Sequence, residues 1–246
     1  MKIPLCLILC TLAAGLVAQT TSNSPATPPV VADVPSVPAP ILLPQATLDK
    51  LTPLFDGKTL DGWDYTPTNW SVQDGAMRGT GAWCMACTKA DYDSFRLLVT
   101  SRLVFPATNK GSDHLGILFW GDRPVKDAKG NYTPKGTGML TLQPPYGSIW
   151  AYGPNKNVPV DHIIPKDDNR LRWHDWHTSE VLANLKTGEI RMAVDGVEII
   201  HYKAEDPSVW KKGPIGMQIH GSSSVVEYKD IRIEENPKDE KLITVK

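Results

Sequence analysis

The residues best placed to do chemistry sit in short stretches where apolar and polar side chains alternate. In Gly213-Pro214-Ile215-Gly216-Met217-Gln218-Ile219-His220, strand alternation puts Ile215, Met217 and Ile219 on one face and Gly216, Gln218 and His220 on the other. The same rule sets Leu115, Ile117 and Phe119 against His114, Gly116, Leu118 and Trp120, and Leu140 and Leu142 against Thr141 and Gln143. With the apolar sets turned to a core, neighbouring strands would present His114, Trp120, Thr141, Gln143, Gln218 and His220 on one surface. An imidazole titrates near neutral pH and can act as general acid or base, and glutamine amides offer donors and acceptors of fixed geometry. Trp120, Tyr146, Trp150 and Tyr152 supply rings on which the C–H face of a pyranose packs. Such a surface suits a sugar, so carbohydrate is the expected partner.

Other chemistries find less support. Cys84-Met85-Ala86-Cys87 reads as a local disulfide or as two idle thiols, because a zinc site needs about two more ligands and no second Cys-x-x-Cys exists. The His-x-x-His spacing of His174 and His177 does not make a metal pair on a strand, where residues three apart point to opposite faces. No pair of carboxylates of the kind used by ordinary glycosidases stands on an expected strand. A formal net charge of −1, from 26 basic and 27 acidic residues, with no cluster of Lys and Arg among aromatics, argues against nucleic acid as a partner.

The elements that must position these residues are β-strands. Short alternating runs bounded by Gly, Asp, Asn and Pro recur from Phe95 to Glu234, with almost no helical periodicity, which predicts an all-β sandwich of two antiparallel sheets. Asp195-Gly196 reads as a tight hairpin turn. Residues 121–137 and 144–171 read as long loops. Ahead of the domain, Lys2 followed by an apolar run from Ile3 to Ala18 reads as a signal peptide over residues 1–18. It is too short to span a bilayer, and with it removed the mature chain has no transmembrane segment. Secretion to the periplasm or beyond is therefore expected. Residues 19–46, with prolines at 25, 28, 29, 35, 38, 40 and 44, read as a disordered tether. The folded domain is expected over 47–237 and a tail over 238–246.

The ordered set Leu54-Phe55-Asp56-Gly57-Lys58-Thr59-Leu60-Asp61-Gly62-Trp63, Trp70-Ser71-Val72-Gln73-Asp74-Gly75, Thr88 to Phe95, Gly213 to Gly221 and Val226-Glu227-Tyr228-Lys229-Asp230-Ile231-Arg232-Ile233 resembles the 3-keto-disaccharide hydrolase family. The resemblance covers about Leu51 to Glu235. It implies a concanavalin A-like jelly-roll sandwich and cleavage of glycosides whose sugar is oxidised at C3. Gln143, Gln218 and His220 fall on its pattern. His114 and Trp120 stand where the family tends to carry an amide and a guanidinium, and Thr141 stands where it tends to carry Glu.

A C3 ketone acidifies the proton at C2, so the aglycone can be eliminated with one base and a group that stabilises the enolate. His220 is the expected catalytic base, with Gln143, Gln218, His114, Trp120, Trp150 and Tyr152 binding substrate. Donors such as Gln143, Gln218 and His114, or a divalent cation, would stabilise the oxyanion, and Asp113 reads either as a turn residue or as a ligand to that cation. A carbohydrate-binding domain of the cell envelope without catalysis, or an adhesion module, would present much the same surface.

Overall fold

The computed structural model describes residues 43–105, 114–144, 148–154, 156–158, 161–162, 175–221 and 224–245. The expected leader, residues 19–42 of the proline-rich stretch, Asp113, Tyr146 and His174 lie outside them. After one helical turn, α1 (Gln45–Leu48), the chain is built of strands. In order these are β1 (Thr52–Pro53), β2 (Trp63–Asp64), β3 (Trp70–Gln73), β4 (Ala76–Thr80), β5 (Cys84–Tyr92), β6 (Phe95–Phe105), β7 (His114–Phe119) and β8 (Leu140–Gln143). There follow β9 (Ser148–Ala151), β10 (Lys156–Val158), β11 (Asp161–His162), β12 (His177–Asn184), β13 (Glu189–Val194), β14 (Val197–Lys203), β15 (Gly213–His220) and β16 (Val225–Glu235). No helix among the described residues is long and apolar enough to cross a membrane.

The strands form two antiparallel sheets, as the alternation predicts. The larger runs β11-β14-β13-β12-β6-β16-β4-β3, with β1 paired to β16, and the smaller runs β10-β9-β8-β7-β15-β5-β2. Between them lies one core, with Phe95, Leu97, Val99, Val181, Ile190 and Met192 from the larger sheet and Leu115, Ile117, Phe119, Leu142, Ile215, Met217 and Ile219 from the smaller. Long β16 keeps its apolar residues inward by changing register between Lys229 and Arg232. There Asp230 takes a positive φ of 51°, and this bulge lets both Val226/Tyr228 and Ile231/Ile233 face the core. The expected turn at Asp195-Gly196 is present, with φ of 49° and 82°. Asp195 also binds across to the start of β12: its carboxylate accepts from Thr178 N and lies 2.6 Å from the buried His177 Nδ1. His177 is thus a structural residue of the larger sheet.

Two expectations need correction. Residues 144–171 are not simply loop, since they hold β9, β10 and β11; runs of two to four residues are too short for alternation to show against Gly, Pro and Asn. Nor does the segment after residue 237 behave as a tail. Leu242 and Thr244 are buried, and the segment covers the outer face of the larger sheet over Leu182 and Ala193. Beneath it Glu180, wholly buried, accepts hydrogen bonds from Arg96 Nε, Ile243 N, Thr244 N and Thr244 Oγ1. Arg96 in turn donates to Asp239 O and Lys241 O and pairs with Glu234. Buried charges persist only when their hydrogen-bonding positions are filled, and the segment fills three of Glu180's four. A chain ending at Lys238 should therefore lose about 3 kcal/mol of stability, measured by chemical denaturation. A truncated domain as stable as the full chain would show that the segment only rests on the sheet.

Candidate functional site

The side of the smaller sheet away from the core carries the polar set. On β15 and β7, Gln218 faces Gly116 and His220 faces His114; on β8 and β9, Thr141 faces Trp150. The cross-strand His114 and His220 rings stack, with centroids 4.0 Å apart and planes inclined by 11°. His114 Nδ1 lies 3.1 Å from Leu115 O and Nε2 lies 3.3 Å from Gln143 Nε2. A carbonyl only accepts, so Nδ1 carries the proton toward Leu115 and Nε2 is left to accept from the Gln143 amide. Trp83 stands edge-on to His220 at 6.1 Å and tilted against Tyr152 at 6.3 Å, forming a wall between them.

Gln218 is fully buried, and its Nε2 donates to Tyr152 Oη at 2.9 Å. Its Oε1 has no partner. Five buried side-chain polar atoms among the described residues lack a hydrogen bond, and three of them, Trp83 Nε1, Thr141 Oγ1 and Gln218 Oε1, gather around the Tyr152 phenol. Burial pushes that phenol above its ordinary pKa, while the Gln218, Thr141 and Trp83 side chains near the oxygen pull it back in part. None of these three atoms makes a hydrogen bond of normal geometry. Each unsatisfied buried group costs about 1–3 kcal/mol, so three in one place single out this cluster among the buried polar groups of the fold. One is donor-only, one acceptor-only and one both, which matches a molecule carrying several hydroxyl or carbonyl oxygens. Tyr152 also lines a cavity of about 350 Å³ bounded by Trp120, Gly138, Gly153, Trp210 and Lys211.

The structure thus brings His114, Gln143, Gln218, His220, Trp150 and Tyr152 to one face. Trp120 is not on that face and meets the site only from behind, at the cavity beside Tyr152. The strand ends at Phe119, and Trp120 takes a positive φ of 56°, which breaks the alternation. Its indole turns into the core, packs on Phe119 and Trp210, and donates to Asp93 O at 2.6 Å. The sequence reading also missed Trp83, although its odd position continues the Met85 and Cys87 series onto the same face; it sits just ahead of β5, where no alternation had begun. Parity also settles the cysteines. Cys84 lies in the main core and Cys87 under Tyr132 and Tyr152, both as free thiols that burial pushes up to about 11 and about 12. Among the described residues no group of three or more His, Cys, Asp or Glu is placed to share a metal ion, and Asp113 lies outside them.

Fold and face together define a concanavalin A-like jelly roll, a carbohydrate-related frame, with a recessed hydrogen-bonding site walled by aromatics. The chain belongs to the family of 3-keto-alpha-glucoside-1,2-lyase-like domains, which matches residues 50–234. A candidate glycosyl hydrolase from Parabacteroides distasonis superposes with a TM-score of 0.53 at 19% identity, over 80% of this chain and 99% of its own. Lectin I-B4 from Griffonia simplicifolia, in its metal-free form, gives 0.53 at 14% identity over 74% of this chain and 97% of its own. A lectin from Bauhinia forficata in complex with GalNAc gives 0.50 at 13% over 73% and 96%. At these identities the likeness shows the fold. No curated protein matches the chain.

The position of Trp120 yields a direct check. Trp120→Phe should cost about 1–3 kcal/mol of stability through the lost indole bond and volume, with binding of a monosaccharide, which needs no aglycone cavity, unchanged per folded molecule. Lost affinity at unchanged stability would return Trp120 to the site.

Proposed function

We propose that this domain takes a 3-keto-glycoside on the outer face of the smaller sheet and eliminates its aglycone, with His220 as the base. The observation that carries the reading is the gathering around Tyr152 of three buried polar atoms without a hydrogen bond of normal geometry, beside an imidazole pair, in a domain of the 3-keto-alpha-glucoside-1,2-lyase-like family. In the reaction, His220 takes the proton from C2 and the electron pair moves into an enolate on the C3 oxygen. Collapse of the enolate re-forms the C3 carbonyl, makes the C1–C2 double bond and breaks the bond from C1 to the aglycone oxygen, which leaves with a proton. Addition of water across that double bond then gives the free 3-keto sugar. Trp83 Nε1–H and the hydroxyls of Thr141 and Tyr152 are the donors available to the developing oxyanion. Gln218 Oε1 requires a ligand hydroxyl, since it can only accept. The cavity beside Tyr152 gives the aglycone a place. Export of the domain belongs to the same proposal, supported by the apolar run after Lys2.

A binding role without turnover is favoured by one observation, Thr141 in the position where the family tends to carry Glu. One experiment separates the two readings. The domain is incubated with 3-keto and unmodified disaccharides, with and without a chelator, and released monosaccharide is measured. Release is expected from the 3-keto substrate alone. His220→Ala should lower turnover about 10²- to 10⁴-fold, and Trp83→Phe, which keeps the ring and loses the donor, about tenfold or more. No release by the wild type, with an affinity that His220→Ala weakens by about 1–3 kcal/mol, would leave the binding role.

A further inference from the structure

Tyr228 belongs to the larger sheet and lies wholly buried in the middle of the sandwich, yet its hydroxyl is spent on the smaller one. It donates to Gln218 O at 2.6 Å and accepts from Gly116 N at 3.2 Å, with Gly116 O at 3.3 Å. Gln218 and Gly116 are direct cross-strand partners. A phenol rising from the opposite sheet therefore holds both backbones at the one register where the Gln218 side chain leaves on the far side. Burial raises the Tyr228 pKa above its ordinary value, so the hydroxyl stays neutral and keeps both its donor and its acceptor.

From the solvent side the same amide is shaped by Gly116. A Cβ there would stand 2.6 Å from Gln218 Oε1 and 2.7 Å from Thr141 Cγ2, so the space a larger residue would fill belongs to the Gln218 side chain. An acceptor without a partner is costly in a dry setting, and an unrestrained side chain would turn to satisfy it. We infer that Tyr228 is a positioning residue: by joining the Gln218 and Gly116 backbones through the core, it fixes the Gln218 amide with Oε1 turned to the ligand. The inference rests on the sugar-binding reading of the site and adds to it a residue that touches no ligand.

The test compares Tyr228→Phe with Ile231→Val, a core change on the same strand. Readouts are melting temperature, the side-chain amide resonances of Gln218 in the free protein, and kcat and KM on methyl 3-keto-α-glucoside. Both variants should lower the melting temperature. Only Tyr228→Phe should shift or broaden the Gln218 amide resonances and lower kcat/KM, by about tenfold or more. Should Tyr228→Phe fail to fold, wild type supplies the measurement. Its buried, hydrogen-bonded Tyr228 hydroxyl proton should shift together with the Gln218 amide as the sugar is added. Unmoved Gln218 resonances and unchanged kcat/KM in Tyr228→Phe, or a hydroxyl signal that ignores the sugar while the amide moves, would overturn the inference. Wild type that neither binds nor cleaves the glucoside would sink the functional reading instead, and the Gln218 resonances of the free variant would still decide the role of Tyr228.

Discussion

Burying Ile215, Met217 and Ile219 against the larger sheet leaves β15 no freedom over its remaining side chains. Every second residue of a strand points the other way, so once the apolar set is committed to the core, Gln218 and His220 must face outward. The same holds for β7 and β8, whose inward Leu115, Ile117, Phe119 and Leu142 commit His114, Gly116, Thr141 and Gln143 to that face. Antiparallel register then decides which of these meet, and it sets His220 across from His114 and Gln218 across from Gly116. The site is thus the reverse side of the core, and a change in packing on one side is felt as a change in geometry on the other.

This is also why much of the site could be read without a structure. Parity and hydrophobicity are local properties of the chain, and they suffice to place His114, Gln143, Gln218 and His220 together. The reading failed where parity was interrupted. Trp120 follows the last strand residue with a left-handed backbone, and no pattern of residue types announces that its indole will turn inward. Trp83 precedes the strand whose alternation it continues. The strands β9 to β11 are too short to establish a period. The burial of Glu180 beneath residues 239–244 is a long-range docking event, invisible to any rule that looks a few residues ahead. The segment reads as a tail, and hydrogen bonding to a buried carboxylate decides otherwise.

The two buried polar regions make an instructive contrast. On the outer face of the larger sheet, Glu180 meets four donors and Arg96 spreads its guanidinium over two carboxylates and two carbonyls. Around Tyr152, by comparison, Trp83, Thr141 and Gln218 each keep an atom without a partner. A chain able to satisfy one polar cluster so fully has the means to satisfy another, and on the proposed reading the difference is free energy held in reserve for a ligand.

The docking of residues 239–244 also bears on the order of events during synthesis. These residues are made after every strand they cover, so Glu180 and Arg96 face water until the segment docks. Hydrated charges at that stage keep the unfinished outer face soluble and discourage it from stacking on another nascent sheet. Both charges lose their water together when residues 239–244 dock, so desolvation of the pair and closure of that face are a single event.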